Sequence, residues 1–337
     1  MIDYFTSTDF VVLMIKILIV FGGVMGVLAY LTWLERKVSA RIQMRPGPTR
    51  VGPFGLLQPL ADGLKFLFKE DVIPTQASTF LYIAAPVVAL IPALLSFSVI
   101  PFGPWLQVTD LSVGLLFIFA ISSLGVYGIA LGGWASNSKY PLMGAMRSAA
   151  QMISYELSLT LSVVGVLMIA NTLSLAQLVA SQQSTWLGFI PRWNIFLQPV
   201  AFFVYVCSAV AETNRTPFDL AESEQELVAG WHTEYSSLKF AMFMLAEYAN
   251  MMTVSALATI MFLGGWSGPM FGPAWLQAVL PTVWFATKVF VFLFFYVVLR
   301  WTVPRFRYDQ LMKFGWKVLL PLALANILVT SFIVAIS

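Results

Sequence analysis

One cysteine, Cys207, and one histidine, His232, are all the thiol and imidazole ligands that 337 residues offer. This scarcity rules out a disulfide framework. An iron–sulfur cluster needs about four thiolates and haem usually needs an axial histidine, so any electron carrier belongs to a partner chain. Cys207 lies in an apolar run and reads as a small packed hydrophobe. Charge is scarce as well: 10% of the residues are charged, against roughly 25% in soluble domains. A soluble fold could not cover its surface with so little charge. No internal repeat is present, which argues against a transporter built from duplicated halves. Low-complexity linkers and a separate soluble domain are also missing.

Apolar residues, at 59%, and aromatics, at 15%, fill the space instead. The expected fold class is an all-α integral membrane protein, a single transmembrane domain over residues 1–337. Eight spans are expected, near 11–33, 80–100, 112–133, 148–170, 195–211, 239–263, 281–300 and 317–336. At about 1.5 Å per residue, such runs can cross about 30 Å of hydrocarbon. The first is not a cleaved signal, because no basic region precedes it and no small-residue cleavage pattern follows. Of 19 Lys and Arg, Arg192 falls in an opposite-side loop, Lys16 and Lys288 fall within spans, and the other 16 share one side. The positive-inside rule makes that side cytoplasmic and puts both termini on the periplasmic side. The outer loops are short and rich in Pro, Gly and Trp, as interfacial turns are.

The inner loops are long and chemically ordered. The first runs from Glu35 to Pro74 and contains Arg45-Pro-Gly-Pro48 and Val51-Gly-Pro-Phe-Gly55, whose Pro and Gly pin turns. An amphipathic helix follows, with Asp62, Lys65 and Lys69 spaced to share one face. It could lie on lipid headgroups with its lysines as anchors, but Asp62 and the rigid turns before it are not explained by anchoring.

A second inner loop gathers carboxylates. Glu212, Asp219, Glu222, Glu224, Glu226 and Glu234 are six of the chain's 16 acidic residues and fall within 23 positions. Helix capping accounts for Asp219 and Glu222, with Gly230 as a stop. Glu226 would then stack on Glu222, where like charges repel; Arg215 is the one cation in this loop. Crowded carboxylates raise one another's pKa and exchange protons. Glu156 and Glu247 lie inside spans, where the default role of a carboxylate is a proton or ion pathway. Structural pairing of Glu156 with Arg147, or of Glu247 with Lys239, is the alternative, and Lys288 is a third candidate cation for either.

Four blocks in order resemble a known family. They are Glu35-Arg-Lys through Lys69-Glu70, Ser136-Asn-Ser-Lys-Tyr140, Ala211-Glu-Thr-Asn-Arg-Thr-Pro-Phe-Asp219 through Glu234-Tyr235, and Pro304-Arg-Phe-Arg-Tyr-Asp-Gln-Leu-Met312. The chain resembles the family of subunit 1 of the proton-pumping NADH:quinone oxidoreductase, respiratory complex I. The resemblance spans essentially the whole chain. Many members read Thr-Glu-Gly-Glu-Ser-Glu-Leu where this one has Ala221-Glu-Ser-Glu-Gln-Glu-Leu227; the glutamates survive and the glycine does not.

The resemblance implies a membrane-arm component docked on the hydrophilic arm, with Arg36, Arg45, Asp62 and Lys65 lining or steadying a quinone tunnel. It implies a proton relay through Asp219, Glu222, Glu224, Glu226, Glu212, Glu234, Glu156 and Glu247, with Glu35 and Glu70 beside it. Quinone would be the substrate, and flavin and iron–sulfur clusters would sit on partner subunits. The implied partners are the iron–sulfur subunit, the large hydrophilic subunit, neighbouring membrane-arm subunits and the lipid bilayer, with no nucleic acid. The implied location is the bacterial inner membrane; an organelle-encoded member would read the same way. Rival expectations are a quinone-independent anchor of a related hydrogenase, a proton or sodium antiporter, and a purely structural anchor.

Overall fold

The computed structural model describes residues 8–186, 190–219 and 227–336. Long apolar runs become long helices because a helix satisfies every backbone polar group within its own segment. The helices are α1 (Thr8–Ile42), α2 (Gln58–Phe68), α3 (Thr79–Leu95), α4 (Gly114–Ala135), α5 (Lys139–Ala170) and α6 (Leu175–Ser181). After a small antiparallel pair, β1 (Thr185–Trp186) with β2 (Ile190–Pro191), come α7 (Asn194–Leu197), α8 (Pro199–Glu212) and α9 (Ser237–Phe262). The chain ends with α10 (Ala274–Thr302), α11 (Tyr308–Phe314) and α12 (Leu320–Ile336), the last two joined by a π-helical turn at residues 315–319.

Among the described residues, seven helices are long and apolar enough to cross a membrane. The expected span at 195–211 differs. Gln198 leaves helical geometry (φ −132°, ψ 56°) just before Pro199, separating the short α7 from the 14-residue α8. Proline disfavours helical backbone in the residue before it, which explains the break. At about 1.5 Å per residue, α8 alone reaches only about 21 Å. The polar break is covered: Gln198 Nε2 donates to Thr330 Oγ1 of α12 at 2.9 Å, and Asn326 donates to Gln198 Oε1 at 2.8 Å.

Helix α9 is the central element, buried along most of its length between α3, α8 and α10. Small residues let the others close in. A Cβ on Gly128 of α4 would lie 2.7 Å from the Ala89 backbone nitrogen of α3, so these helices touch main chain to main chain. Cys207 packs, half-buried, against the core.

The C-terminal end of α9 is held by polar groups aimed at its last carbonyls. Gln182 donates to Ile260 (2.8 Å) and Asn194 to Met261 (2.9 Å). Lys288 of α10 does not pair with an intramembrane carboxylate. Its Nζ donates to the carbonyls of Leu263, Gly265 and Ser267 at 2.7–2.9 Å and lies 4.6 Å from the Trp193 ring centre. A cation suits this place because helix C-terminal carbonyls carry partial negative charge.

Candidate functional site

The C-terminal parts of α1 and α10, the N-terminal half of α9 and the start of the acidic loop converge on Glu35. Its carboxylate accepts Tyr248 Oη at 2.6 Å, a short ion-paired bond from Arg300, and Arg215 Nη1 at 3.3 Å. Arg215 is buried and bridges two carboxylates: its Nε is 2.5 Å from Glu247, and its guanidinium lies over the Tyr248 ring at 4.6 Å. The Nε contact is an ion pair without hydrogen-bond alignment. Burial works against the Arg215 charge, but Glu247, Tyr248 and Glu35 outweigh it and hold the pKa well above the ordinary arginine value. Pairing is the condition on which a buried charge survives. The alternative Glu247–Lys239 pair is not formed. Lys239 faces Asp71 at 2.9 Å because the α9 N-terminus packs on the end of the first inner loop.

One residue along α1 from Glu35, Arg36 reaches the first loop. Its Nη1 donates to Asp62 Oδ2 at 2.7 Å. Asp62 also accepts from Gln58 at 3.1 Å and from Lys65 at 3.3 Å, the latter a neighbour that the spacing predicted. Arg45 is not brought into this cluster; its Nε turns to Gln43 at 2.7 Å. Exposed Leu60, Leu64, Leu67 and Phe68 form the opposite, apolar face of α2, and Phe54 is exposed just before that helix.

The other carboxylates divide. Glu212, at the end of α8, shares a cavity of about 30 Å³ with Glu247, Asn250, Thr213 and Asn214. That space holds about two waters, at roughly 10–15 Å³ each. A second cavity of about 10 Å³ touches Glu212 from the other side, with Asn250, Thr253 and Ser122 in its wall. Glu212 Oε2 and Thr253 Oγ1 are buried with no hydrogen-bond partner among the described residues. Glu156 of α5 accepts a short hydrogen bond from Ser123 of α4, while Arg147 lies against the Tyr308 ring. The alternative Glu156–Arg147 pair is thus not formed, and a hydroxyl takes its place.

Asp219 pairs with Arg305 at 3.1 Å, just past the Phe218–Phe306 stack. Burial outweighs Arg305, Arg300 and Arg215, so its pKa is raised. Glu234 is placed through its backbone carbonyl, which accepts Tyr82 Oη at 2.6 Å. Glu70 is exposed and offers its carbonyl to Ser236 at 3.4 Å. Glu222, Glu224 and Glu226 lie outside the described residues, and so does the capping expected from Glu222. His232 is boxed between Trp231 and Phe240, and burial lowers its pKa against the pull of Glu247 and Asp219.

Sequence reasoning missed the centrality of Glu35 and the roles of Arg300 and Tyr248, which lie far from it in the chain. It also missed two left-handed residues, Val228 (φ 67°) and Ser237 (φ 55°), which flank the acidic loop's return into the membrane. A β-branched residue there is strained, and nothing in its type announces it.

A family comparison decides what this cluster belongs to. Residues 15–331 match the NADH dehydrogenase family. The chain belongs to that family. Among its relatives, the second H-type subunit of the NADH-quinone oxidoreductase of Koribacter versatilis is 55% identical, covering 96% of this chain and 97% of that one. The first H-type subunit of the Geobacter sulfurreducens enzyme is 49% identical, covering 95% and 94%. The H-type subunit of the Dehalococcoides mccartyi enzyme is 48% identical, covering 97% and 88%. The chain is therefore a membrane subunit of the NADH-quinone oxidoreductase type, and the Glu35–Arg215–Glu247 cluster lies within the matched residues.

Proposed function

We propose that the first inner loop helps form the quinone tunnel of the complex, and that quinone reduction there drives protons into the membrane through a carboxylate relay. The observation that carries this reading is the adjacency of Glu35 and Arg36. Arg36 holds Asp62 of the first loop, and Glu35 is held by Arg215 of the acidic loop, which also holds Glu247. A change of charge beside Asp62 is thereby felt one residue away in the ion-pair chain.

Asp62, Lys65 and Arg36 supply polar contacts for a quinone head, and the exposed apolar face of α2 suits its tail. Arg45, on the same loop, acts nearer the tunnel rim. Electrons arrive from iron–sulfur clusters on partner subunits, and flavin sits further up that arm. When the quinone takes up electrons and then protons, negative charge first appears beside the loop and is then neutralised. Each change shifts proton affinity along Glu35, Glu247, Glu212 and Glu156, with Asp219, Glu222, Glu224, Glu226 and Glu234 completing the acidic loop's part. Water in the cavities beside Glu212 links Glu247 to the middle of the membrane. A two-state loop needs about 5.5 kcal/mol of differential interaction to go from 1:99 to 99:1. The α7–α8 pair, residues 194–212, completes an eighth crossing, and both termini face the periplasm of the bacterial inner membrane.

The test is Glu222→Gln with Glu226→Gln, and separately Glu247→Gln, in inside-out membrane vesicles. NADH oxidation by an artificial acceptor should persist while quinone-linked proton uptake falls. Normal proton uptake per quinone reduced in both variants overturns the relay.

A further inference from the structure

The amphipathic helix α2 and the membrane helix α9 meet at a polar joint that the relay does not use. Ser237, the first residue of α9, has its hydroxyl 2.9 Å from the Phe66 carbonyl and 3.0 Å from that of Lys69, both at the end of α2. Its neighbour Ser236 accepts the Val72 amide at 3.2 Å. One turn on, Lys239 reaches back to Asp71 at 2.9 Å and lies over the Tyr82 ring at 5.0 Å. The Phe66 and Phe240 rings pack beside it, 6.1 Å apart.

The geometry is too specific for a lysine that merely anchors at headgroups. Lys239 has an 11% exposed side chain, turned inward toward a carboxylate rather than outward. Ser237 is buried and left-handed, a conformation that disfavours any residue with a Cβ. Such backbone persists where its surroundings over-determine it, and here the hydroxyl shared between α2 carbonyls does so. Helix α9 continues unbroken from this joint to Glu247 and Tyr248. The far end of α9 is clamped by Gln182, Asn194 and Lys288. Displacement of α2 is therefore transmitted along the N-terminal half of α9, which carries Glu247.

We propose that Asp71, Ser237 and Lys239 are positioning residues for the quinone site, holding the α2 segment with Asp62 and Lys65 in register with the helix that carries Glu247. The proposal rests on the quinone-tunnel reading. None of these residues touches the reacting atoms; they act through α2.

The experiment uses the assembled complex in membrane vesicles with a short-chain quinone. Asp71→Lys and Lys239→Asp alone should raise the quinone KM roughly threefold to tenfold, with a smaller effect on kcat, as expected when a few polar contacts are lost. The double reversal should return KM to within about twofold of the parent, because coupled neighbours compensate each other. Ser237→Gly keeps the left-handed backbone and removes only the hydroxyl, so it reads the joint even where charge reversal blocks assembly. It should raise KM in the same direction. NADH oxidation by an artificial acceptor should stay unchanged throughout. An unchanged KM in Ser237→Gly overturns the joint, and so does a double reversal as impaired as the single variants. Failure of the tunnel reading looks different: Arg36→Met and Asp62→Asn would leave quinone kinetics untouched while the joint variants still respond.

Discussion

Arg215 Nε stands 2.5 Å from the Glu247 carboxylate, while Nη1 of the same guanidinium lies 3.3 Å from Glu35. The single cation of a loop crowded with carboxylates is thus committed to an intramembrane glutamate and to a glutamate at the end of the first helix. Arg300 adds a second cation and Tyr248 a hydroxyl to Glu35. Any proton or electron that alters one member of this group alters the electrostatic energy of the others.

Removing the shared cation should be severe. Arg215→Met leaves two carboxylates short of their charge partner, a change of the kind that costs about 3–5 kcal/mol. Quinone reduction should be lost and thermal stability of the purified complex should fall. Arg215→Lys should recover part of the stability and little activity, because an ammonium is a point charge and cannot span both carboxylates as the guanidinium fork does. Equal activity in the Lys variant and the parent would contradict the bridging role.

His232 gives a pH dependence with a defined sign. Burial lowers its folded pKa below the ordinary histidine value, so its contribution to stability is present above about pH 6.5 and is lost as pH falls through the lowered value. Limited proteolysis of the inner loops should accelerate between neutral and mildly acidic pH. His232→Phe, which keeps an aromatic ring between Trp231 and Phe240, should flatten that rise. A variant with the parent's pH profile removes His232 as the cause.

Asp219 has the opposite sign. Its folded pKa is raised by burial, so its contribution is fully present below the usual carboxylate value, about 3.9, and is lost as pH rises through the raised one. Asp219→Asn does not titrate. The melting temperature of the parent relative to this variant should therefore increase as pH is lowered from neutral toward that range. A difference that shrinks on acidification would show that the Arg305 pair dominates instead.

Lys288 separates a structural cation from an ion site. Lys288→Met strands the Leu263, Gly265 and Ser267 carbonyls, at roughly 1–3 kcal/mol for a buried polar group left unsatisfied. The complex should melt earlier and the outer loop near Trp266 should become protease-sensitive. Proton uptake per quinone reduced should not change in complex that remains assembled. A selective loss of proton uptake would revive the antiporter reading, in which Lys288 belongs to the ion path.

Much of the fold was legible because apolar runs of this length have one favourable solution in a membrane. The run at 195–211 shows the limit: hydropathy alone does not register that Pro199 breaks the helix at Gln198. Within the site, Asp62 with Lys65 was legible because helical spacing places them on one face. Glu212, Glu247 and Glu156 were legible as costly charges near hydrocarbon. Pairing with a lysine or arginine nearby in sequence, the alternative to a pathway role, does not occur: Lys239 meets Asp71 and Glu156 meets Ser123. Proximity in sequence is a poor guide where straight helices bring distant segments level with one another.

The sequence by itself determined the membrane class and which residues are costly enough to need a purpose. Composition and helical periodicity are local or additive quantities, so they survive without coordinates. Only the tertiary structure decided what compensates each charge: Arg215 for Glu35 and Glu247, Arg36 for Asp62, and backbone carbonyls for Lys288. Electrostatic pairing depends on distances of a few ångströms between groups far apart in the chain, and carbonyl ligands carry no side-chain signature to read.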